Sequence, residues 1–332
     1  IGILGMTIGT LLFASKQFSV NKEIQTLKEA SPEYLIGEVI QISKTENSTA
    51  YLLKPQNQEG KILLYSTGEE NIRLGDWIQT EAELEVQDEA RNPGQLSARD
   101  YYFAKGIYYR AFANETFVIG HQEHPLMKLQ ESSRQWMKAK IRSQYQGNVR
   151  AFVQGMILGD KSELSEEIKD DFKESGLIHL LAVSGLHISL AGKSLYQWLR
   201  KIGIGFWTSS LVGFAAALYY CMLTGGAVSS IRAIIMLGIY FLSQILGKNY
   251  DLLSSAAMAG LLIILKNPLA FGDTGFRLSF CAVLVIGVIG KGKKEKSGVI
   301  QKIWDKVRFL LLLQMGMLPL MIYLQYETPV FS

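Results

Sequence analysis

The sequence is poor in the residues from which reactive centres are usually built. Its 332 residues include only two cysteines and four histidines. Cys221 and Cys281 stand apart inside apolar stretches, with no CxxC pairing and no ligand-like neighbour. Metal and redox chemistry are therefore not expected, no cofactor is called for, and both read as small buried hydrophobes. The histidines are His121, His124, His179 and His187, so nothing beyond residue 187 could serve a serine nucleophile as a histidine base. No Walker-type phosphate loop occurs, so any ATP-driven motor must be another protein. The amino-terminal run has neither the basic start nor the small-residue cleavage site of a secretory signal. Residues 1–14 read instead as the end of a membrane helix.

What is present is hydrophobicity, unevenly spread. Apolar residues make up 48% of the chain and charged ones 19%, and the mean hydropathy is +0.14. Apolar residues are scarce over 21–54 and dense after Gly176, which implies two regions facing different solvents. Over 34–120, alternating segments predict five strands at 34–43, 49–54, 61–66, 77–86 and 108–120, separated by turn signals such as Gly60, Gly75 and Asn92-Pro93-Gly94. Five short strands suit a small closed barrel of the OB type, with a small sandwich as the other arrangement.

Residues 121–150 read as a basic amphipathic linker helix. Leu126, Leu129, Ser133, Trp136, Met137 and Ile141 recur at helical spacing among Lys128, Arg134, Lys138, Lys140 and Arg142, a pattern suited to a membrane interface. A polar helix then follows Ser162 or Ser165, either of which could cap it. From 151 to 332 the chain reads as a polytopic helical bundle, with spans expected at 177–199, 206–223, 228–246, 252–265, 275–289 and 303–324. If all cross, Arg200, Lys201, Lys248 and the lysines of 291–302 share one side. The positive-inside rule makes that side cytoplasmic and places the barrel outside. The fold class expected is therefore an α+β membrane protein, an extracytoplasmic all-β barrel joined to a helical transmembrane bundle.

Several strings give the pattern a family likeness. HLLAVSGLHIS (179–189), SSIRAIIM (229–236), NPLAFGDTGFRLSFCAVLVIG (267–287) and ARNPGQLSARDYYFAKGIYYRA (90–111) occur in this order. Together they resemble the ComEC-type DNA-internalisation family of competence proteins. The resemblance implies a channel for uptake of single-stranded DNA across the cytoplasmic membrane during natural transformation. It also implies a cytoplasmic helicase-like ATPase and an outer DNA receptor as partners, and a homo-oligomer as one assembly. The HxHxDH string of the family's metallo-β-lactamase-like domain has no counterpart here, so the chain reads as a fragment without enzymatic activity.

Read in that light, His179, Ser184, His187, Arg232, Asp273 and Arg277 are candidates for a conduit lining. Polar groups inside apolar helices mark bundle interiors or cavities, and guanidinium groups bind phosphate in a bidentate manner. Gly176, Gly185 and Gly192 would let another backbone come close, and Asp273 stands four residues before Arg277, a favourable order for an ion pair. On the barrel, Arg91, Arg99, Tyr101, Tyr102, Lys105, Tyr108 and Arg110 form a stretch where cations and tyrosines interleave. Such a stretch suits a single-strand surface, although the same tyrosines suit a barrel core. Two other classes fit parts of the pattern. A small-solute secondary transporter would draw on the Gly-rich segment 223–228, and an intramembrane serine hydrolase on Ser184-Gly185 within a span.

Overall fold

A computed structural model describes residues 11–22, 34–44, 49–56, 60–66, 72–89, 97–122, 124–175, 183–289 and 299–325. The alternation expected from the sequence folds into five strands: β1 (Leu35–Lys44), β2 (Thr49–Pro55), β3 (Lys61–Ser66), β4 (Asp76–Val86) and β5 (Ile107–His121). They close into a barrel in the order β1-β2-β3-β5-β4. All pairs are antiparallel except β3 with β5. The period of two sends Leu53, Ile62, Leu64, Ile78 and Ala111 inward.

A seven-residue helix that the strand pattern did not predict, α2 (Ala98–Ala104), fills the connection from β4 to β5. Ser97 caps it, its hydroxyl accepting from the Asp100 N–H at 3.1 Å. Phe103 of α2 packs edge-on against Tyr108, with ring centroids 5.2 Å apart. The barrel core is not made by the barrel alone. Val20, from helical residues 11–22 (α1), and Leu269, from far along the chain, are buried in the same cluster.

The linker helix is α3 (Pro125–Gln144), and it stops before a separate α4 (Gly147–Leu158). The polar helix is α5 (Glu166–Glu174), with Ser165 Oγ accepting from the Ile168 N–H at 3.5 Å. The apolar region continues as α6 (Gly185–Lys201), α7 (Phe206–Leu223), α8 (Val228–Ile245), α9 (Leu252–Lys266), a 3-10 turn (Pro268–Gly272), α10 (Thr274–Ile289) and α11 (Val299–Gln325). Among the described residues, α7, α8 and the 303–324 portion of α11 are long and apolar enough to cross a membrane, while α9 and α10 are shorter apolar helices.

One expectation is corrected here. Within the span read over 177–199, of which residues 177–182 lie outside the described residues, α6 starts at Gly185, because Ser184 is extended (φ −91°, ψ 162°) and forms the N-cap. The Ser184-Gly185 pair therefore sits at a helix start and not inside a span. The Gly-rich segment 223–228 holds the turn between α7 and α8, as the expected spans at 206–223 and 228–246 require. Gly225 (φ 84°) and Gly226 (φ 60°) adopt the left-handed backbone that reverses the chain there.

Small residues set how closely these helices pack. A methyl built on Gly192 of α6 would lie 2.9 Å from Gly213 O, 2.9 Å from Ala217 Cβ and 2.8 Å from Leu237 Cδ2. α6 therefore meets α7 and α8 nearly backbone to backbone, a contact that only glycine permits. Gly192→Ala is expected to push this crossing apart and cost about 1–3 kcal/mol. A lower thermal midpoint of the detergent-purified chain would register it, and an unchanged midpoint would show that the crossing tolerates the methyl.

Candidate nucleic-acid interface

The barrel meets the helical region at the motif segment after α9. Asn267, the C-cap of α9, donates from Nδ2 to Ala104 O at 2.8 Å and Phe103 O at 3.1 Å, so it caps the exposed carbonyl end of α2. Its Oδ1 accepts from the Leu269 N–H at 3.1 Å. Ala104 packs with Ile263, Ala270 and Phe276. Two of the motif strings, one in the barrel and one in the helical region, are thus a single joint.

Above this joint, the outer face of the barrel carries a strip of aromatic rings. Tyr101 and Tyr102 of α2 meet edge to face, with centroids 5.2 Å apart. Tyr102 is hydrogen-bonded to Tyr65 of β3. Tyr65 in turn stacks on Phe112 of β5, 5.4 Å away and inclined by 20°. Burial, with Tyr102 beside it, pushes the Tyr65 phenol up to about 12, so the strip stays uncharged at neutral pH. Tyr101 and Phe112 remain 47% and 57% exposed, leaving ring surface for a ligand. Lys105 lies over the Tyr101 ring at 3.9 Å and donates to its hydroxyl.

The sequence found half of this strip. Tyr65 and Phe112 were missed because the parallel register that sets them side by side is not written in either strand alone. Conversely, Tyr108 is buried in the barrel core and presents no surface to a strand. Arg110 is held by Glu85 at 2.8 Å and Asp88 at 2.7 Å. Arg99 pairs with Glu89 and donates to Asn21 Oδ1 at 2.8 Å. Their charges are already matched by acids from β4 and its following loop. Arg91 lies outside the described residues, as does His179.

A second grouping lies where the starts of α6 and α8 meet. The Ser184 N–H donates to His187 Nδ1 at 3.1 Å, and the Ser184 hydroxyl is 3.1 Å from the same nitrogen. An Nδ1 that accepts from a backbone N–H assigns His187 the neutral Nε2–H tautomer. Its single lone pair on that side is therefore already engaged in capping the helix. Arg232 Nη2 would lie 3.7 Å from a methyl on Gly185, so the structure brings Arg232 beside the Ser184–His187 pair. Arg232 donates through Nη1 to Ser279 O of α10 and lies over the Phe280 ring at 5.6 Å. Its Nε is buried without a hydrogen-bond partner among the described residues.

Asp273 and Arg277 do not pair with each other. Asp273 Oδ2 accepts from the Phe276 N–H at 2.8 Å as a cap of α10, and Arg277 Nε donates to Phe271 O at 2.8 Å. The cap wins because it satisfies a buried helix-end donor.

The basic linker helix is largely neutralised by the chain itself. Lys138 and Arg134 reach Asp160, and Arg142 and Arg150 both reach Glu163 at 2.8 Å. Its opposite face leaves Leu126, Leu129 and Trp136 exposed. Burial acts to raise the Asp160 carboxyl, but hydrogen bonds from Lys138 and Ser162 outweigh it and hold the group below the ordinary carboxylate range. The stabilisation from Asp160 is therefore complete above that range and is lost as pH falls through the lower folded value. Asp160→Asn should lower the thermal midpoint at neutral pH, with the gap to the parent protein closing only below about pH 4. An equal gap at pH 3 and pH 7 would remove the charge from this account.

Helices of this length and apolarity, with Leu211, Leu242, Leu261 and Leu310 exposed on their outer faces, are consistent with a membrane protein. The chain belongs to the competence protein family, which it matches over residues 156–332. It is 22% identical over 293 residues to ComE operon protein 3 of Bacillus subtilis (strain 168), a match covering 87% of this chain and 36% of that protein. It is 25% identical over 235 residues to Recombination protein 2 of Haemophilus influenzae, covering 68% of this chain and 29% of that one. It is 27% identical over 181 residues to competence protein ComA of Neisseria gonorrhoeae, covering 49% and 25%. The chain thus spans about a third or less of the length of these relatives.

Proposed function

We propose that this chain forms part of a conduit that brings single-stranded DNA across the cytoplasmic membrane during natural transformation, with an OB-like barrel collecting the strand outside. The observation that carries the reading is the aromatic strip Tyr101–Tyr102–Tyr65–Phe112, hydrogen-bonded and stacked across three elements and open to solvent at both ends. Bases stack on such rings irrespective of sequence, which is what an uptake system requires. Membership of the competence family supports the same cargo.

The orientation rests on charge and on tryptophan. The helix ends that meet the barrel or α3 are those of Leu223 and Asn267, and α8 starts at Val228 just after the first of them. The opposite ends carry Arg200, Lys201 and Lys248, and the connection over 290–298 adds further lysines. By the positive-inside rule that side is cytoplasmic. Trp198 and Trp207 are exposed at those same ends, in keeping with an interfacial belt.

The reading is of passage and not catalysis, since Ser184 and His187 engage each other as a helix cap. Arg232, beside the positive end of the α6 dipole and with an unpartnered Nε, would receive phosphates as the strand enters the helices. A helicase-like ATPase inside and a DNA receptor outside would complete the path.

Two measurements test the reading. Phe112→Ala should weaken binding of a labelled oligothymidylate to the purified chain by roughly tenfold, the loss of one stacked base at about 1–3 kcal/mol. Equal binding would remove the strip from the path. In cells, Arg232→Gln should leave surface-bound DNA unchanged and cut labelled DNA reaching the cytoplasm by about tenfold or more, as expected for a lost charge-assisted hydrogen bond. Normal delivery with normal protein levels would exclude Arg232 from the conduit.

A further inference from the structure

The joint between barrel and helices gathers three lysines from three distant parts of the chain. Lys61 opens β3, and its N–H donates to Gly106 O at 2.8 Å, which fixes it beside the turn that holds Lys105. Asn267 bonds the carbonyls of Phe103 and Ala104, which brings Lys266, the last residue of α9, to that same turn. None of the three makes an ion pair among the described residues, in contrast to Arg99, Arg110, Arg134, Lys138 and Arg142.

Asp273, whose carboxyl feels the charge of Lys105, is buried and already caps α10. Lys61 is half-buried, and its ammonium is pushed down by burial and by the charges of Lys266 and Lys105. A folded protein rarely leaves like charges together in partly desolvated space unless a counter-charge visits them. On the barrel face Arg99 and Arg110 each have a carboxylate, whereas these three lysines have none among the described residues.

Lys105 ties this cluster to the aromatic strip, since the same side chain covers the Tyr101 ring. Lys61 and Tyr65 lie four residues apart on β3, which sets cluster and ring roughly 13 Å apart along the strand. A short run of single strand would cover both, its bases on the rings and its backbone crossing the lysines.

We propose that Lys61, Lys105 and Lys266 form a phosphodiester-binding site at the barrel–helix joint, which takes the backbone of a single strand leaving the aromatic strip. The site rests on the reading of that strip as a base-stacking surface. It also gives the strand a direction, because the lysines lie at the end of the strip nearest the helices. The site is selective for backbone and not for base, so it would serve any sequence.

Salt dependence separates the two contributions. For a single strand, the slope of log affinity against log salt falls by about 0.7 for each phosphate neutralised. Binding of labelled oligothymidylate to the detergent-purified chain should therefore show a slope shallower by about that amount in Lys61→Gln and in Lys266→Gln, with several-fold weaker binding. Lys61→Arg should restore both, and Lys266→Gln, at an exposed helix end, controls for misfolding of a half-buried position. Phe112→Ala should weaken binding and leave the slope unchanged.

If the lysine variants keep the parent slope while Phe112→Ala weakens binding, the lysine site is wrong and the strip stands. If the parent chain binds no oligothymidylate, both readings fall. If the lysine variants change only retention on phosphatidylglycerol vesicles, measured against phosphatidylcholine vesicles, the cluster serves a lipid headgroup and the proposal is overturned.

Discussion

The side chain of Asn267 holds the two parts of this protein in register. Its amide donates to the last two carbonyls of α2, of which Phe103 O also accepts from the Gly106 N–H, and its oxygen starts the 3-10 turn that delivers Leu269 to the barrel core. An unsatisfied carbonyl shielded from water costs about 1–3 kcal/mol, so the bond to Ala104 O matters on the scale of a whole domain's stability, about 5–15 kcal/mol. The aromatic strip, the lysine cluster and the start of α10 are all placed relative to one another through this residue. The resemblance noted in the strings around 90–111 and 267–287 thus has a structural basis: the two segments are the faces of one contact.

Charge is handled differently on either side of that contact. On the linker helix and on the outer barrel wall, arginines and lysines meet carboxylates from nearby loops, so most of the positive surface suggested by composition is internal bracing. Asp160 and Glu163 together anchor α3 and α4 and leave the exposed apolar residues of α3 facing away from the bundle. Surface pairs of this kind contribute little individually, but they fix which side of the helix is wet. Among the described residues of the joint, Lys61, Lys105 and Lys266 have no carboxylate, and they lie where a ligand passing from barrel to helices would have to cross.

Much of the fold was legible in the sequence because it follows local periodicity. The five strands fall within a residue or so of the alternating segments, and α7 to α10 match the apolar runs closely. Where local rules competed, the reading failed. α2 was hidden because ARDYYFAKG carries no apolar periodicity of its own, and its stability comes from Ser97 at one end and Asn267 at the other. Ser184 resembled a residue inside a span because apolar neighbours flank it, whereas its capping preference dominates. Within the candidate interface, composition pointed to the right stretch of β5 and α2 but could not say which rings face outward. That depends on barrel closure, which pairs Tyr65 with Phe112 and turns Tyr108 inward.

The contribution of Leu269 to the barrel core has a consequence for biosynthesis. The strands end at residue 121, yet a side chain that seals their interior is made nearly 150 residues later. During synthesis the barrel therefore keeps an open apolar socket until α6 to α9 have been made. Its final tightening would report that the α9–α10 connection has arrived in the correct place. Without Leu269 the barrel core lacks one of its buried side chains, which leaves it looser and more open to proteolysis than in the finished fold.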